Sequence, residues 1–175
     1  MMAINLKPPA DPPLLGSDAQ HSTAWADYHD RVAAALKQLG TGVTDGSDAT
    51  AGQVGERLTA SGGPIGLASN VAANIVTLPL PAGDFEVWGN IHFTAAPTTH
   101  PTEAVAGVSS ASGALGAVYE QVGAPFNPGA NIQLGTGGPV RFSSAGAQTA
   151  YLVAFAVFTA AGMTASGTIW ARRIR

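Results

Sequence analysis

From Asp84 to Phe93 the chain alternates strictly between apolar and polar residues. Phe85, Val87, Ile91 and Phe93 fall on one face, and Asp84, Glu86, Trp88, Asn90 and His92 on the other. A period of two is the pattern of a half-buried antiparallel strand and fits no helix. Further short runs follow the same logic, each bounded by Gly, Pro or Ser. They are Asn74–Leu80, Glu103–Ser110, Asn131–Leu134, Pro139–Ser144, Tyr151–Thr159 and Gly167–Arg175. Residues 113–128 are punctuated by Gly and Pro and resist assignment. Seven or eight strands with turn signals about every 8–12 residues, and no βαβ alternation, predict a mainly β fold. The expected architecture is an antiparallel β-sandwich of jelly-roll type.

Two features complicate that picture. Tyr151–Thr159 is apolar on both faces, with Tyr151, Val153, Phe155 and Val157 opposite Leu152, Ala154, Ala156 and Phe158. Such a strand is either central in a sandwich or covered by another subunit. Tyr151, Val153, Phe155, Val157 and Phe158 are therefore the candidate oligomer interface. The second feature is charge. Between Gly62 and Ala171 only Asp84, Glu86, Glu103, Glu120 and Arg141 are charged, and the whole chain is 11% charged. Soluble domains carry about 25%. A body so poor in charge is expected to cover its surface with copies of itself or with another protein.

The first 60 residues differ. Pro8, Pro9, Pro12 and Pro13 exclude a helix and favour an extended arm, with Ile4, Leu6, Leu14 and Leu15 as apolar anchors. A helix is predicted from Ser22 or Thr23 to Leu39, with Asp27 near its positive end and Gly40 as its stop. Trp25, Tyr28, Val32, Ala35, Leu36 and Leu39 form one apolar stripe. An isolated helix of this length is marginal in water and needs a surface to pack on. Gly42, Asp45, Gly46 and Asp48 then mark a flexible linker. The predicted organisation is an arm and helix over 1–40, a linker over 41–52 and a β-sandwich over 53–175. Leu14, Leu15, Trp25, Tyr28, Val32, Leu36 and Leu39 are the candidate docking residues.

Catalytic and metal chemistry find little support. The chain has no cysteine, and His21, His29, His92 and His100 show no ligand spacing, so no metal and no cofactor are expected. Asp84 and Glu86 would sit about 7 Å apart on one strand face, a separation seen in glycoside hydrolases. The simpler reading is a strand edge made soluble by two charges. Gly135-Thr-Gly-Gly-Pro139 lacks a following helix and reads as a turn, not a phosphate cradle. No enzyme activity is expected. The formal net charge of −3 argues against a nucleic-acid partner. Arg172-Arg173-Ile174-Arg175 is the one basic cluster, read as a solvated strand end, a contact for an acidic partner or a weak nucleic-acid contact. No apolar run reaches the ~18 residues of a membrane span, and no leader pattern is evident, so no membrane partner is expected.

Several motifs carry a resemblance. They are Gly52-Gln-Val-Gly-Glu56, Asn74-Ile-Val-Thr-Leu78, Pro81-Ala-Gly-Asp-Phe-Glu-Val-Trp-Gly-Asn90, Tyr151-Leu-Val-Ala154 and Gly167-Thr-Ile-Trp-Ala-Arg-Arg-Ile-Arg175. Over residues 52–175 the chain resembles small virion proteins of tailed bacteriophages and prophages. Pro12-Pro-Leu-Leu15 followed by Thr23-Ala-Trp25 is similar to the virion-docking segment of small fibre and tail-attached proteins, with Trp25 and Tyr28 three residues apart rather than adjacent. The resemblance implies a structural virion protein made in the bacterial host cytoplasm. Its expected role is a short fibre or spike-like appendage, trimeric, docked on capsid, connector or tail proteins. A capsid decoration protein is the alternative. A carbohydrate-binding module is the rival reading from another class. It would use Trp88, Tyr119 and Trp170 to contact a host glycan.

Overall fold

The structure is a computed structural model and describes residues 8, 23–38, 49, 51–124, 126–160 and 162–174. It divides into two compact units, Met1–Ala49 and Thr50–Arg175. In the first, α1 runs Thr23–Gln38. The rings of Trp25, Tyr28 and His29 gather on one side of it, with centroids 5.6–5.9 Å apart. The predicted acidic help at the positive helix end is absent, because the first turn holds no acid. Asp27 instead pairs with Arg31 one turn on, at 2.9 Å. Both side chains are well exposed, so the pair adds little.

The second unit is built from β1 (Arg57–Leu67), β2 (Ala73–Leu80), β3 (Gly83–Ala95), β4 (His100–Ser109), β5 (Tyr119–Gly123), β6 (Asn131–Gly135), β7 (Val140–Ser144), β8 (Gln148–Thr159) and β9 (Met163–Arg173). One sheet has the order β1-β9-β3-β6, with β7 also on β3, and the other β2-β8-β4-β5. Every pairing is antiparallel. With β6 and β7 sharing the place of one strand along β3, this is the jelly-roll order of two four-position sheets. The alternation of β3 does what its pattern demands: Phe85, Val87, Ile91 and Phe93 are all 0% exposed in the core between the sheets.

The described residues hold nine strands rather than seven or eight. β1 carries no clear strand pattern, because Gly62-Gly63-Pro64 breaks its alternation. The ladder to β9 shifts between Gly62 and Ile65, and the Gly63–Pro64 peptide is cis. β5 lay inside the Gly- and Pro-rich stretch, and of its residues only Val122 packs on the core.

Asp84 was expected to keep a strand edge soluble. It is 6% exposed, and β3 is no edge at that point, since β7 pairs with it from Gly83 to Val87. Arg141 donates to both Asp84 carboxylate oxygens, Nε to Oδ1 at 2.8 Å and Nη2 to Oδ2 at 2.6 Å. That hydrogen bonding, then the charge of Asp84, raises the pKa of the guanidinium above its ordinary value.

The C-terminal basic cluster is not a uniformly solvated strand end. Arg172 is exposed, but Arg173 is buried against Glu56, with Nε 2.8 Å from Oε2 and both side chains 7% exposed. Nη1 of Arg173 donates to the Ala82 carbonyl at 2.9 Å, and the guanidinium lies 4.4 Å from the Phe85 ring centroid. The Gly52 amide donates to the same Glu56 oxygen at 2.9 Å. Backbone bonds Gly55 N to Arg173 O and Arg173 N to Glu56 O, both 2.9 Å, complete the junction. Gly83 has φ 143°, and a Cβ there would overlap Nη1 of Arg173, so the position requires glycine. The pair ties the entry of the sandwich to its last strand.

Candidate functional site

Among the described residues no helix is long and apolar enough to cross a membrane, and no group of three or more His, Cys, Asp or Glu is arranged to hold a metal. Asp84 is engaged by Arg141, so Asp84 and Glu86 are not a free carboxylate pair. The sandwich presents two outer faces and a groove at its edge.

The first outer face belongs to β2-β8-β4-β5. Strand β8 is flanked by β2 and β4, and it turns Leu152, Ala154, Ala156 and Phe158 into the core. Phe158, placed by the sequence in the oligomer interface, is 8% exposed in that core and leaves the set. Tyr151, Val153, Phe155 and Val157 share the outer face. Val153 is nevertheless 0% exposed, and its neighbour Val105, across from Phe155, is 2%.

The chain itself supplies part of the cover. The connection from β4 to β5 folds back, with the Gly113 amide on Asn74 Oδ1 at 2.8 Å and Asn74 Nδ2 on Ser112 Oγ at 2.7 Å. A side-chain carbon of Leu115 lies 3.6 Å from where a Cβ of Gly107 would stand, and Gly107 is the register partner of Val153. Tyr151, Phe155 and Val157 stay half-buried, and beside them Val118 and Tyr119 are 38% and 47% exposed.

The candidate sugar contacts do not form one platform. Trp88 and Trp170 are direct cross-strand partners on the outer face of the other sheet, both half-buried. Polar and charged pairs flank them, Glu86 opposite Arg172 and Asn90 opposite Thr168. Tyr119 pairs with Gly107 and lies with the Tyr151 face, on the far side of the sandwich.

A groove of about 450 Å³ opens beside Trp88, lined by Gly89, Glu120, Gly135, Thr136, Gly137, Gly138 and Pro139 as well. Its origin is topological. Pairing of β7 with β3 ends at Val87–Val140, and pairing of β6 begins at Asn90–Gly135. Trp88 and Gly89 lie in the interval, and the turn 136–139 spans it. The buried Gly89 amide donates to Thr136 Oγ1 at 3.0 Å, which pins the turn. Glu120 reaches in from β5, with Oε2 3.2 Å from where a Cβ of Gly135 would be. The turn read at 135–139 occupies 136–139, with Gly135 closing β6, and its partnership with Trp88 and Glu120 has no local signal.

Of the candidate docking residues, Trp25, Tyr28 and Val32 lie on α1 and are half-buried, and Leu36 is in the same helix. Leu14, Leu15 and Leu39, with the arm and most of the linker, lie outside the described residues.

No family model matches the chain, and no curated protein matches it. Among solved structures it is similar to the infectious bursal disease virus VP2 subviral particle protein, at 11% identity and a TM-score of 0.42, over 77% of this chain and 37% of that one. The Gx strain of the same virus gives 10% identity and a TM-score of 0.42, over 77% of this chain and 36% of that one. The chain thus spans little more than a third of those proteins. At this similarity they lend no argument about activity or partners.

Proposed function

We propose that the chain is a structural protein of a tailed-phage virion. In this reading it is a short fibre or spike-like appendage, anchored by the N-terminal arm and helix and self-associating as a homotrimer through the sandwich. The observation that carries the reading is the outer face of β8. In a solitary sandwich that face is polar. Here it presents half-buried Tyr151, Phe155 and Val157 along one row, interrupted by the covered Val153, with exposed Tyr119 on the same face. Such a row is stabilised when a second surface removes it from water, at about 25 cal/mol per Å² of apolar area. The motif resemblance of residues 52–175 to phage virion proteins supports the same reading.

Two measurements test it. Light scattering of the purified protein at micromolar concentration is expected to give a trimer mass. Tyr151→Asp with Phe155→Asp is expected to give a folded monomer, because a charge in a desolvated interface core costs several kcal/mol. A wild-type monomer removes the self-association claim. Separately, deletion of residues 1–39 is expected to leave a folded, trimeric sandwich that no longer joins particles. Normal incorporation of the truncated protein removes the anchor. Imaging of labelled particles separates an appendage at the head–tail region from a decoration protein spread over the shell, by number and symmetry of sites.

A further inference from the structure

We propose that the groove beside Trp88 binds a neutral saccharide. The inference stands apart from the virion reading and would survive its failure. It rests on how the groove is built. The wall is half-buried Trp88, whose register partner on the neighbouring strand is Trp170. Four of the eight lining residues are glycines, 89, 135, 137 and 138, so much of the remaining surface is backbone. Gly137 has φ 74°, and a Cβ there would stand 2.6 Å from the Tyr119 carbonyl, which keeps this part of the turn bare. Nothing lies within 4 Å of a Cβ position at Gly138, so the turn opens toward solvent there.

A pyranose ring has an apolar face of C–H groups and a rim of hydroxyls that both donate and accept. An indole face suits the first. Backbone amides and carbonyls and a carboxylate suit the second. Among the lining residues Glu120 is the one charged group, and none is basic. A carboxylate accepts from sugar hydroxyls and repels phosphates, sulfates and sialic acids. That selects a neutral sugar over a nucleotide, which would also stack on an indole but brings phosphate with it. Trp88 belongs to the sheet opposite the one that carries Tyr151 and Phe155, and the groove opens at the edge where Glu120 of β5 meets the turn 136–139.

The test uses the full-length protein and the tryptophan indole N–H signals in NMR. The probes are maltotriose, cellotriose and chitotriose, with sialyllactose as the anionic control. At least one neutral trisaccharide is expected to shift the Trp88 indole signal and the amides of residues 135–138 saturably, while sialyllactose leaves them in place. Trp88→Ala is expected to weaken binding at least about tenfold, the usual consequence of truncating an aromatic anchor. Trp88→Phe should keep part of the affinity. Glu120→Gln, at an exposed site, should leave the fold intact and weaken binding severalfold. If Trp88→Ala does not fold, Trp88→Phe and Glu120→Gln decide. The proposal is overturned if no neutral trisaccharide moves the Trp88 signal at about 10 mM, a concentration that reveals even millimolar sites. It is equally overturned if binding is unchanged in the variants that fold, or if sialyllactose binds as well as the neutral sugars.

Discussion

Arg173→Ala is expected to destabilise the sandwich unit by about 3–5 kcal/mol, the loss typical of removing one partner from a buried ion pair. The cost comes from what is left behind. Glu56 is 5% exposed and would keep only the Gly52 amide at 2.9 Å among its described side-chain contacts. The Ala82 carbonyl would lose its donor, and Phe85 its cation. Glu56→Ala is expected to cost a similar amount by stranding the guanidinium. The two losses should not add, since both remove the same interaction. The double variant Glu56→Leu with Arg173→Met replaces the pair by apolar volume and is expected to recover most of the stability. Urea unfolding of the four proteins, read as a double-mutant cycle, checks this. Full additivity of the two single losses would show that the pair is not coupled.

Leu152→Ala is expected to be nearly as severe, about 3–5 kcal/mol, or a fall in melting temperature of roughly 10–20 °C. Leu152 is 0% exposed on the central strand β8. Its two methyl carbons lie 2.7 Å from where side chains would begin at Gly89 and Gly167, on the two central strands of the facing sheet. The leucine fills the space that those glycines leave. Its removal opens a cavity that the sheets can close only by moving whole strands, so little of the loss is recovered by relaxation. The complementary change, Gly167→Ala, is also expected to destabilise strongly, because the new Cβ would stand 2.5 Å from the Asn90 carbonyl oxygen. No side-chain rotation relieves a contact with backbone. Thermal melts with an unchanged urea m-value for Leu152→Ala would confirm a loss of packing rather than of structure.

What was legible beforehand follows from the range of the forces involved. β3 was readable because Phe85 to Phe93 declare their face residue by residue, and alternation is a local property. β8 was readable as two-sided for the same reason, but its sequence did not say which side faced inward. Only the opposite sheet decides that Phe158 packs inward while Val157 does not. β1 was hidden because a bulge at Gly62–Ile65 breaks the period, and its register is held by β9, about a hundred residues away in sequence. The groove was hidden more deeply. Trp88, Glu120 and Gly135–Pro139 come from separate elements and meet because β6 and β7 divide β3 between them.

By itself, then, the sequence determined that the second unit is a β-sandwich, that α1 forms, and that β8 is apolar on both faces. Each is written in the spacing of neighbouring residues, where steric and hydrophobic preferences act locally. Tertiary structure decided the charges. Asp84 and Arg173 look like surface residues in any local window. They become buried partners of Arg141 and Glu56 because strand pairing carries the residues together across 57 and 117 positions of chain. Desolvation acts on whatever the finished fold encloses, and no local pattern encodes that enclosure.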